Sequence, residues 1–222
     1  MPKLVFDKST ERGYENGVDN GIVYIGSGWT GYAWNGLTSV DVAPDGGETE
    51  ALWADNMKYA VMRGSISYAA TINAYSYPEE FNECLGNIKV LDGVYIHEQT
   101  GTNFRMHYRT TINNAENGLI GWRHHVVYGL SCDPSDMTFE SINDSPEAVE
   151  FSFEVEGSPI ALTLKDGTVY NACEFSFDEY KDSTRYTGEW TKAKVDAILD
   201  KLYGSANGEA SCPDPDTLFA VS

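Results

Sequence analysis

The sequence predicts a mostly β protein, built from short antiparallel strands in a sandwich or a barrel. Its aromatic residues, led by 14 Tyr and 9 Phe, are enriched in strands because they pack well on a pleated surface. The 21 glycines, several of them in Asn-Gly or Asp-Gly pairs, supply the positive φ angles of hairpin turns. A chain of 222 residues is long enough to bury one large core, and we expect a single domain over residues 1–222.

Seven segments have the composition or the period-two alternation of strands. They are residues 21–26, 65–77, 104–110, 124–132, 148–156, 160–164 and 170–177. Turn dipeptides punctuate the chain and favour hairpin corners. These are Asn16-Gly17, Asn35-Gly36, Asp92-Gly93, Asn117-Gly118 and Asp166-Gly167.

A short helix is predicted over residues 78–85, beside the sheet. Pro78 suits the first turn of a helix, and the glutamates that follow it match the positive end of the helix dipole. Phe81 and Leu85 are four residues apart and share one face. So short a helix is stable only when it packs on other elements, so Pro78, Phe81 and Leu85 are expected to dock it against the sheet.

A second helix is predicted over residues 191–203, near the C-terminus. Thr191 is a suitable N-cap and Gly204 a suitable end. Between them, apolar residues recur at the spacing of one helical face, at Val195, Ile198, Leu199 and Leu202. This stripe is expected to pack in the core and not to carry a function.

Two segments are difficult to place in a compact core. Residues 40–64 begin with a polar Gly/Pro/acidic turn and continue with apolar side chains that are predicted to be exposed; so long a loop is usually functional or interactive. Candidate interaction residues in this segment are Trp53, Asp55, Asn56, Met57 and Tyr59. Residues 204–222 are small and polar before a short apolar end, which is typical of an extended terminal arm or of disorder.

The charge balance excludes a nonspecific groove for nucleic acid. The chain carries 34 acidic and 15 basic residues, a net charge of −19, whereas phosphate binding depends on Lys and Arg. Residues 131–160 contain no basic residue. Within them, Glu150, Glu154 and Glu156 alternate with apolar residues, which places a row of carboxylates on one face of a strand.

The four cysteines, Cys84, Cys132, Cys173 and Cys212, lie far apart and show no CxxC or Cys/His spacing. Buried free thiols are therefore the main expectation, with disulfides or a metal site as the alternatives. The N-terminal residues lack the apolar stretch of a secretory signal, and no run is long enough for a membrane span. We expect a soluble protein made in a reducing compartment.

A search of the sequence for catalytic motifs favours a structural protein over an enzyme. Motifs for nucleophilic hydrolysis, phosphate binding and calcium binding are absent. His107 and His125 lie where a hairpin would bring them together, but no third metal ligand accompanies them. No cofactor or metal is therefore expected. Two alternatives remain open: a carbohydrate-binding β-sandwich that uses Trp29 or Trp53, and a glycosidase that uses a carboxylate pair.

Four stretches of the chain resemble, in the same order, the major tail protein of long, flexible-tailed double-stranded DNA bacteriophages. They are residues 34–44, 52–86, 104–160 and 194–204. The most specific parts are the ADN, YPEEF and NDSPEA segments. The pattern departs from the family over residues 170–190 and at Cys212-Pro213, so the resemblance says least about the C-terminal strands and tail.

The resemblance implies a structural β-sandwich subunit with a short flanking helix and without catalytic residues or a cofactor. Such subunits form rings, usually hexamers, which stack into the tube that conducts the genome during ejection. The implied partners are further copies of the chain, the tape-measure, tail-terminator and tail-tip proteins of the virion, and double-stranded DNA in transit. The protein would be made in the host cytoplasm and reside in the virion tail. Residues 40–64 and 204–222 would join one ring to the next.

The acidic composition fits such a conduit. DNA carries about one negative charge per 1.7 Å of its axis, so cationic sites on the wall would hold the genome at every ring. Carboxylates on the wall would repel it. Glu150, Glu154 and Glu156 are therefore expected to face either the channel or the solvent outside the tube, with a slight preference for the channel.

Overall fold

The computed structural model describes residues 13–64, 66–116, 118–133, 148–164, 166–206 and 208–219. Most of these lie in antiparallel strands, which confirms the predicted fold class. The strands are β1 (Gly13–Ile25), β2 (Thr30–Trp34), β3 (Leu37–Val42), β4 (Asp45–Gly46), β5 (Thr49–Ala54), β6 (Met57–Arg63), β7 (Ile66–Ala74), β8 (Ile88–Leu91), β9 (Val94–Ile96), β10 (Phe104–Asn114), β11 (Gly118–Asp133), β12 (Phe151–Gly157), β13 (Ile160–Thr163), β14 (Val169–Ala172) and β15 (Glu174–Tyr180). The helices are α1 (Lys192–Tyr203), α2 (Pro215–Leu218) and two 3-10 turns, Glu79–Glu83 and Ser183–Arg185.

One large sheet curls into a barrel. Its strands run in the order β2-β1-β10-β11-β12-β7-β3, with β15 added to β11 and β4 to β7. Strands β2 and β3 are at opposite ends of this order, yet only Asn35 and Gly36 separate them in the chain. The Tyr75 amide donates to the Gly36 carbonyl at 2.9 Å, and the Trp34 indole donates to the Ser76 carbonyl at 2.8 Å. The two ends of the sheet are thereby brought together.

The barrel interior is an aromatic core closed by the first 3-10 helix. Phe81, on that helix, is fully buried, with its ring centroid 4.6 Å from that of Trp34, 5.1 Å from that of Phe104 and 5.3 Å from that of Phe153. Leu85 is also buried. The short flanking element predicted over residues 78–85 is therefore present and docked. It is a 3-10 helix of five residues: the Phe81 amide donates to the Pro78 carbonyl at 3.0 Å and the Cys84 amide to the Phe81 carbonyl at 2.9 Å, and each of these hydrogen bonds spans three residues, as in most very short helices.

The outer face of the barrel is covered on one side by α1, which confirms the predicted C-terminal helix. The Thr191 hydroxyl accepts a hydrogen bond from the Lys194 amide as the N-cap. The apolar stripe of α1 packs on outward-facing side chains of β1, β11 and β15. This second core contains Ile22, Tyr24, Val126, Tyr128, Phe177, Val195, Ile198 and Leu202.

Strand β11 contributes to both cores because it reverses its faces at Gly129. Val126 and Tyr128 point outward to α1, whereas Leu130 and Cys132 point into the barrel. Gly129 has a φ of +63°, and a Cβ there would lie 2.3 Å from the Ser158 carbonyl oxygen. A bulge with glycine at its αL position makes this reversal. The two halves of β11 also have different partners, β15 and then β12.

Three expectations about individual segments are corrected by the structure. The segment 170–177 is not one strand: it divides at Cys173, whose carbonyl accepts from the Tyr128 amide, and β14 pairs with β13 in a separate hairpin. The segment 40–64 is not an irregular loop but consists mainly of the end of β3, β4 and the β5–β6 hairpin. The described residues of the segment 204–222 do not extend away as an arm but fold back on the barrel, where Cys212 and Leu218 are buried.

Asn16-Gly17 makes a bulge within β1 and not a hairpin corner, because the pairing of β1 with β10 shifts between Asn16 and Asp19. None of the helices in the described residues is long and apolar enough to cross a membrane.

Candidate functional site

The β5–β6 hairpin brings together all five residues that the sequence nominated in segment 40–64. Trp53 pairs with Lys58, and Ala54 pairs with Met57, which leaves Asp55 and Asn56 as a two-residue turn. Their φ angles are +50° and +59°, the signature of a type I′ turn. Asp and Asn tolerate this conformation better than other residues with a side chain, which explains why the chain reverses here.

Both faces of this hairpin are apolar and exposed. The pairing places Leu52, Met57 and Met62 on one face, and Trp53 and Val61 on the other. Met57 is 68% exposed and Trp53 70%. Tyr59, the extra residue of a bulge opposite Leu52 and Trp53, is 78% exposed. Soluble monomers rarely expose so many large apolar side chains in one place.

The outer edges of the hairpin are open as well. In the described part of the chain, β5 and β6 pair only with each other. Each strand therefore presents unpaired amide and carbonyl groups along one edge, beside apolar side chains. Edges of this kind are where another chain adds. The hairpin thus has the two features of a docking element, apolar area and free backbone groups.

Two smaller hairpins repeat the pattern. The β8–β9 hairpin exposes Ile88, Val90, Leu91, Val94 and Ile96, and the β13–β14 hairpin, with its turn, exposes Leu164, Val169 and Tyr170. Their strands also lack other pairing partners among the described residues. Most of the exposed large apolar side chains of the described residues therefore lie on these three hairpins.

A group of acidic side chains lies on the outer surface of the barrel, on strands that α1 does not cover. Asp41, Thr71, Glu154 and Asp133 are paired in register across β3, β7, β12 and β11 and so share one face. Glu156 lies two residues beyond Glu154 on β12 and therefore on the same face. All four acidic side chains are exposed. Asp41, Asp133, Glu154 and Glu156 define this acidic sheet face.

The predicted carboxylate row is thus present for two of its three members. Phe153 and Val155 point into the barrel while Glu154 and Glu156 point outward, as the alternation indicated. Glu150 precedes β12 and accepts a hydrogen bond from the Thr38 hydroxyl at 2.5 Å. It is tied to β3 and is not part of the strand.

Arg105 fastens the C-terminal segment to the barrel. Its guanidinium is buried, donates to the Cys212 carbonyl at 2.5 Å, pairs with the Asp214 carboxylate and stacks at 3.9 Å on the Trp29 ring. The pKa of the Cys212 thiol is raised to about 12 by burial. That cysteine is consequently an inert structural thiol.

A buried histidine pair lies beneath α1. His107 Nε2 is 3.0 Å from His124 Nδ1, and His124 Nε2 is 3.1 Å from a Glu179 carboxylate oxygen. Burial lowers the pKa of His107 well below its usual value, and the nearby His124 adds to the effect. The expected meeting of His107 with His125 does not occur, because His125 lies on the opposite face and stacks on Tyr108.

The described residues contain no group of three or more His, Cys, Asp or Glu side chains that is placed to hold a metal ion. All four cysteines are free and buried, as the sequence predicted.

Comparison with solved structures finds a distant likeness. No protein-family model and no curated protein sequence matches the chain. Among solved structures, the chain is similar to one from an extracellular contractile injection system, the PVC sheath-tube complex in its extended state. The TM-score is 0.34 at 13% sequence identity, with 69% of this chain and 88% of that chain covered. A likeness at this level assigns the chain to no family.

Most tryptophans are engaged within the subunit, which bears on the carbohydrate-binding alternative. Trp29 stacks on Arg105, Trp34 is in the barrel core, Trp122 faces Arg109, and Trp190 contacts the Phe177 ring. Of the five tryptophans, all of them within the described residues, only Trp53 is strongly exposed. A row of free indole faces for stacking on sugars is therefore not present there.

The sequence did not reveal the buried roles of Arg105 and His107. Both alternate with apolar residues in β10 and read as the solvent face of a half-buried strand, but the second core covers them. Alternation alone does not distinguish a strand face that another element covers from one that faces solvent.

Proposed function

We propose that this protein is a structural subunit that assembles with copies of itself into the tail tube of a long-tailed double-stranded DNA bacteriophage. The observation that carries the proposal is the β5–β6 hairpin, which exposes Leu52, Trp53, Met57, Val61 and Met62 on two faces. One flat partner covers one face only. A hairpin that is apolar on both sides is suited to insertion between two neighbouring subunits in an assembly.

The ordered sequence resemblance supports the specific form of this assembly. The ADN segment of the resemblance forms the turn of the β5–β6 hairpin. The YPEEF segment leads into the 3-10 helix that closes the barrel. Hexameric rings, stacking into a tube and passage of the genome are the parts of the proposal that rest on this resemblance. The proposed role is mechanical and includes neither catalysis nor a cofactor.

The charge distribution supports a channel lined by the acidic sheet face. This face carries Asp41, Asp133, Glu154 and Glu156, whereas most of the exposed large apolar side chains lie on the hairpins. Subunits that bury hairpins in one another leave the acidic face uncovered. Phosphate groups in the channel would then meet carboxylates and slide past without being held.

Removing the apolar anchors of the hairpin tests the proposal. We expect Trp53→Ala combined with Tyr59→Ala to abolish rings and tubes, because aromatic anchors dominate interface energetics. The same variant should keep the wild-type free energy of unfolding, since both side chains are exposed in the subunit. Negative-stain microscopy and sedimentation velocity report assembly, and urea denaturation reports stability.

Tyr75→Ala is the matched control, because Tyr75 is 55% exposed but lies outside the hairpins. It should assemble like the wild type. A wild-type protein that stays monomeric at high concentration, or a hairpin variant that still forms tubes, would contradict the proposed function.

A further inference from the structure

The inference concerns the surface that receives the β5–β6 hairpin, and it rests on the proposed function. A cleft of about 350 Å³ lies between α1 and α2. Trp190, Ile198, Leu218 and Phe219 form its apolar lining, and Lys194 and Lys201 lie at its rim with Glu189. We propose that this helix cleft binds the tip of the β5–β6 hairpin, residues 53–57, from a second copy of the chain.

The tip and the cleft are matched in polarity. The tip presents Trp53 and Met57 on either side of the Asp55 carboxylate. The cleft presents apolar walls with two ammonium groups and the Glu189 carboxylate at its rim, a positive balance in a chain with only 15 basic residues against 34 acidic ones. A carboxylate between two apolar side chains suits an apolar cleft with a cationic rim, because complementary charge fixes the register of apolar contacts.

The rim charge is available for a partner. Lys194 has no carboxylate partner among the residues that the structure describes, unlike Lys192, which pairs with Asp196 at 2.7 Å. Lys201 donates to the Thr217 carbonyl at 2.9 Å, which holds α2 beside α1 and keeps its charge at the rim. An approaching carboxylate therefore meets one unpaired ammonium and one that is pre-positioned.

The other two hairpins suit this cleft less well. In the β8–β9 turn, Asp92 is already paired with Lys89 at 3.0 Å. The β13–β14 hairpin packs on α2 of its own subunit, where the Thr163 amide donates to Asp216 at 2.7 Å. Asp55 has no such partner in the described chain. Of the three hairpins, β5–β6 is thus the one whose tip combines apolar side chains with a carboxylate that has no ion-pair partner in the described chain.

A contact between this tip and this cleft has a consequence for symmetry. The two surfaces are different parts of the chain, so the contact is head-to-tail, and a bound pair keeps one free tip on one subunit and one free cleft on the other. Repetition of such a contact either closes a ring or continues as a helical stack. Dimers that consume both surfaces at once are not the expected product.

Charge exchange tests the pairing directly. Asp55→Lys and Lys194→Glu should each raise the critical concentration for assembly by about tenfold, because attraction at the rim becomes repulsion. The double variant should return it to within about twofold of the wild-type value. Glu80→Lys is the control for Asp55→Lys, since it makes the same change in net charge at an exposed site outside the hairpins. Sedimentation velocity over a concentration series gives the critical concentration.

Cross-linking gives a second readout that does not depend on charge. Asn56→Cys and Ala197→Cys are purified separately and mixed under mild oxidation; the native cysteines are buried. A disulfide-linked pair should form in the mixture and not when either variant is mixed with Glu80→Cys. A linked pair from Asn56→Cys alone would indicate tip-to-tip contact and overturn the inference.

The outcomes separate the two proposals. Wild-type assembly with single charge variants that behave like the wild type, or a double variant no better than the singles, would overturn the cleft assignment and leave the tube function standing. A wild-type protein that never assembles would overturn both.

Discussion

Arg105 illustrates how one buried side chain fixes a distant part of the chain. It stands on β10, and its hydrogen bond to the Cys212 carbonyl spans 107 residues of sequence. The Asp214 carboxylate balances its charge, and the Trp29 ring covers its planar face. A guanidinium suits this position because it stays protonated and offers several donors in one plane. The C-terminal segment is therefore part of the subunit fold.

Buried His107 makes stability depend on pH. His107 is fully buried. It packs against Tyr203, against His124, whose ring stacks on Phe177, and against the strand face that carries Arg109. Its pKa in the folded state is depressed. An unfolded histidine has a pKa of about 6.5. Below that pH, His107 binds a proton in the unfolded chain but not in the folded chain. The stability contributed by neutral His107 is therefore complete above about pH 6.5 and is lost as the pH falls below it.

We predict that the free energy of unfolding falls by up to about 1.4 kcal/mol per pH unit below about pH 6.5 through this one group. Urea denaturation at intervals between pH 5 and pH 8 measures the slope. His97→Gln, which alters an exposed histidine, should keep it. An imidazole proton resonance of His107 that titrated near pH 6.5 in the folded protein would contradict the prediction.

At the scale of elements, the bulge at Gly129 allows one strand to serve two cores. Without it, β11 would carry the same alternation throughout, and Leu130 would point away from the barrel interior. Glycine is required for two independent reasons there. Its φ is +63°, and the space where a Cβ would stand is occupied by the Ser158 carbonyl.

Gly129→Ala should therefore destabilise the subunit by about 3 kcal/mol or more, the sum of an αL penalty of about 1–2 kcal/mol and a steric clash with backbone. Gly93→Ala is the control: φ is +80° at that position, but nothing lies within 4 Å of the added Cβ. It should show the αL penalty alone. Thermal and urea unfolding compare the two, and equal losses would show that the close approach at Gly129 is relaxed at no cost.

At the scale of the whole molecule, charge and apolar surface are separated. The barrel wall carries the acidic sheet face, and the projecting hairpins carry Trp53, Met57, Tyr59 and Leu91. A subunit with a net charge of −19 repels its copies at long range, so contacts in an assembly must be strong at short range and apolar. Added salt should favour assembly, because it screens the repulsion more than the apolar contacts.

The position of the acidic sheet face in the proposed tube can be tested with DNA. Tubes of a Glu154→Lys, Glu156→Lys variant should retain short duplex DNA at low salt in a form protected from DNase, because lysines would then line the channel. Retention should fall steeply as salt increases. Wild-type tubes should retain none.

Glu80→Lys combined with Glu209→Lys changes the net charge by the same amount at exposed positions outside the acidic sheet face and is the control. DNA bound to it should be digested. DNase-sensitive binding by the Glu154 and Glu156 variant, in intact tubes, would place this face on the outside of the tube.

The sequence by itself determined the features that depend on neighbouring residues. The alternation in β12, the capped stripe of α1 and the turn preferences at the hairpins are all read within about ten residues, because strand and helix periodicity and turn chemistry are local. The Asp55-Asn56 pair is a local turn signal of the same kind, although the polar and apolar residues around it favour a loop. The free, buried state of the four cysteines followed from their spacing.

Only the tertiary structure decided which strand faces are covered. Alternation predicts two faces and leaves open what lies on each, so Arg105 and His107 looked solvent-exposed until α1 and the C-terminal segment were placed over them. The acidic sheet face likewise depends on register, since Asp41, Glu154 and Asp133 are neighbours only through strand pairing. Contacts between residues far apart in sequence are set by the packing of the whole chain, which no local pattern encodes.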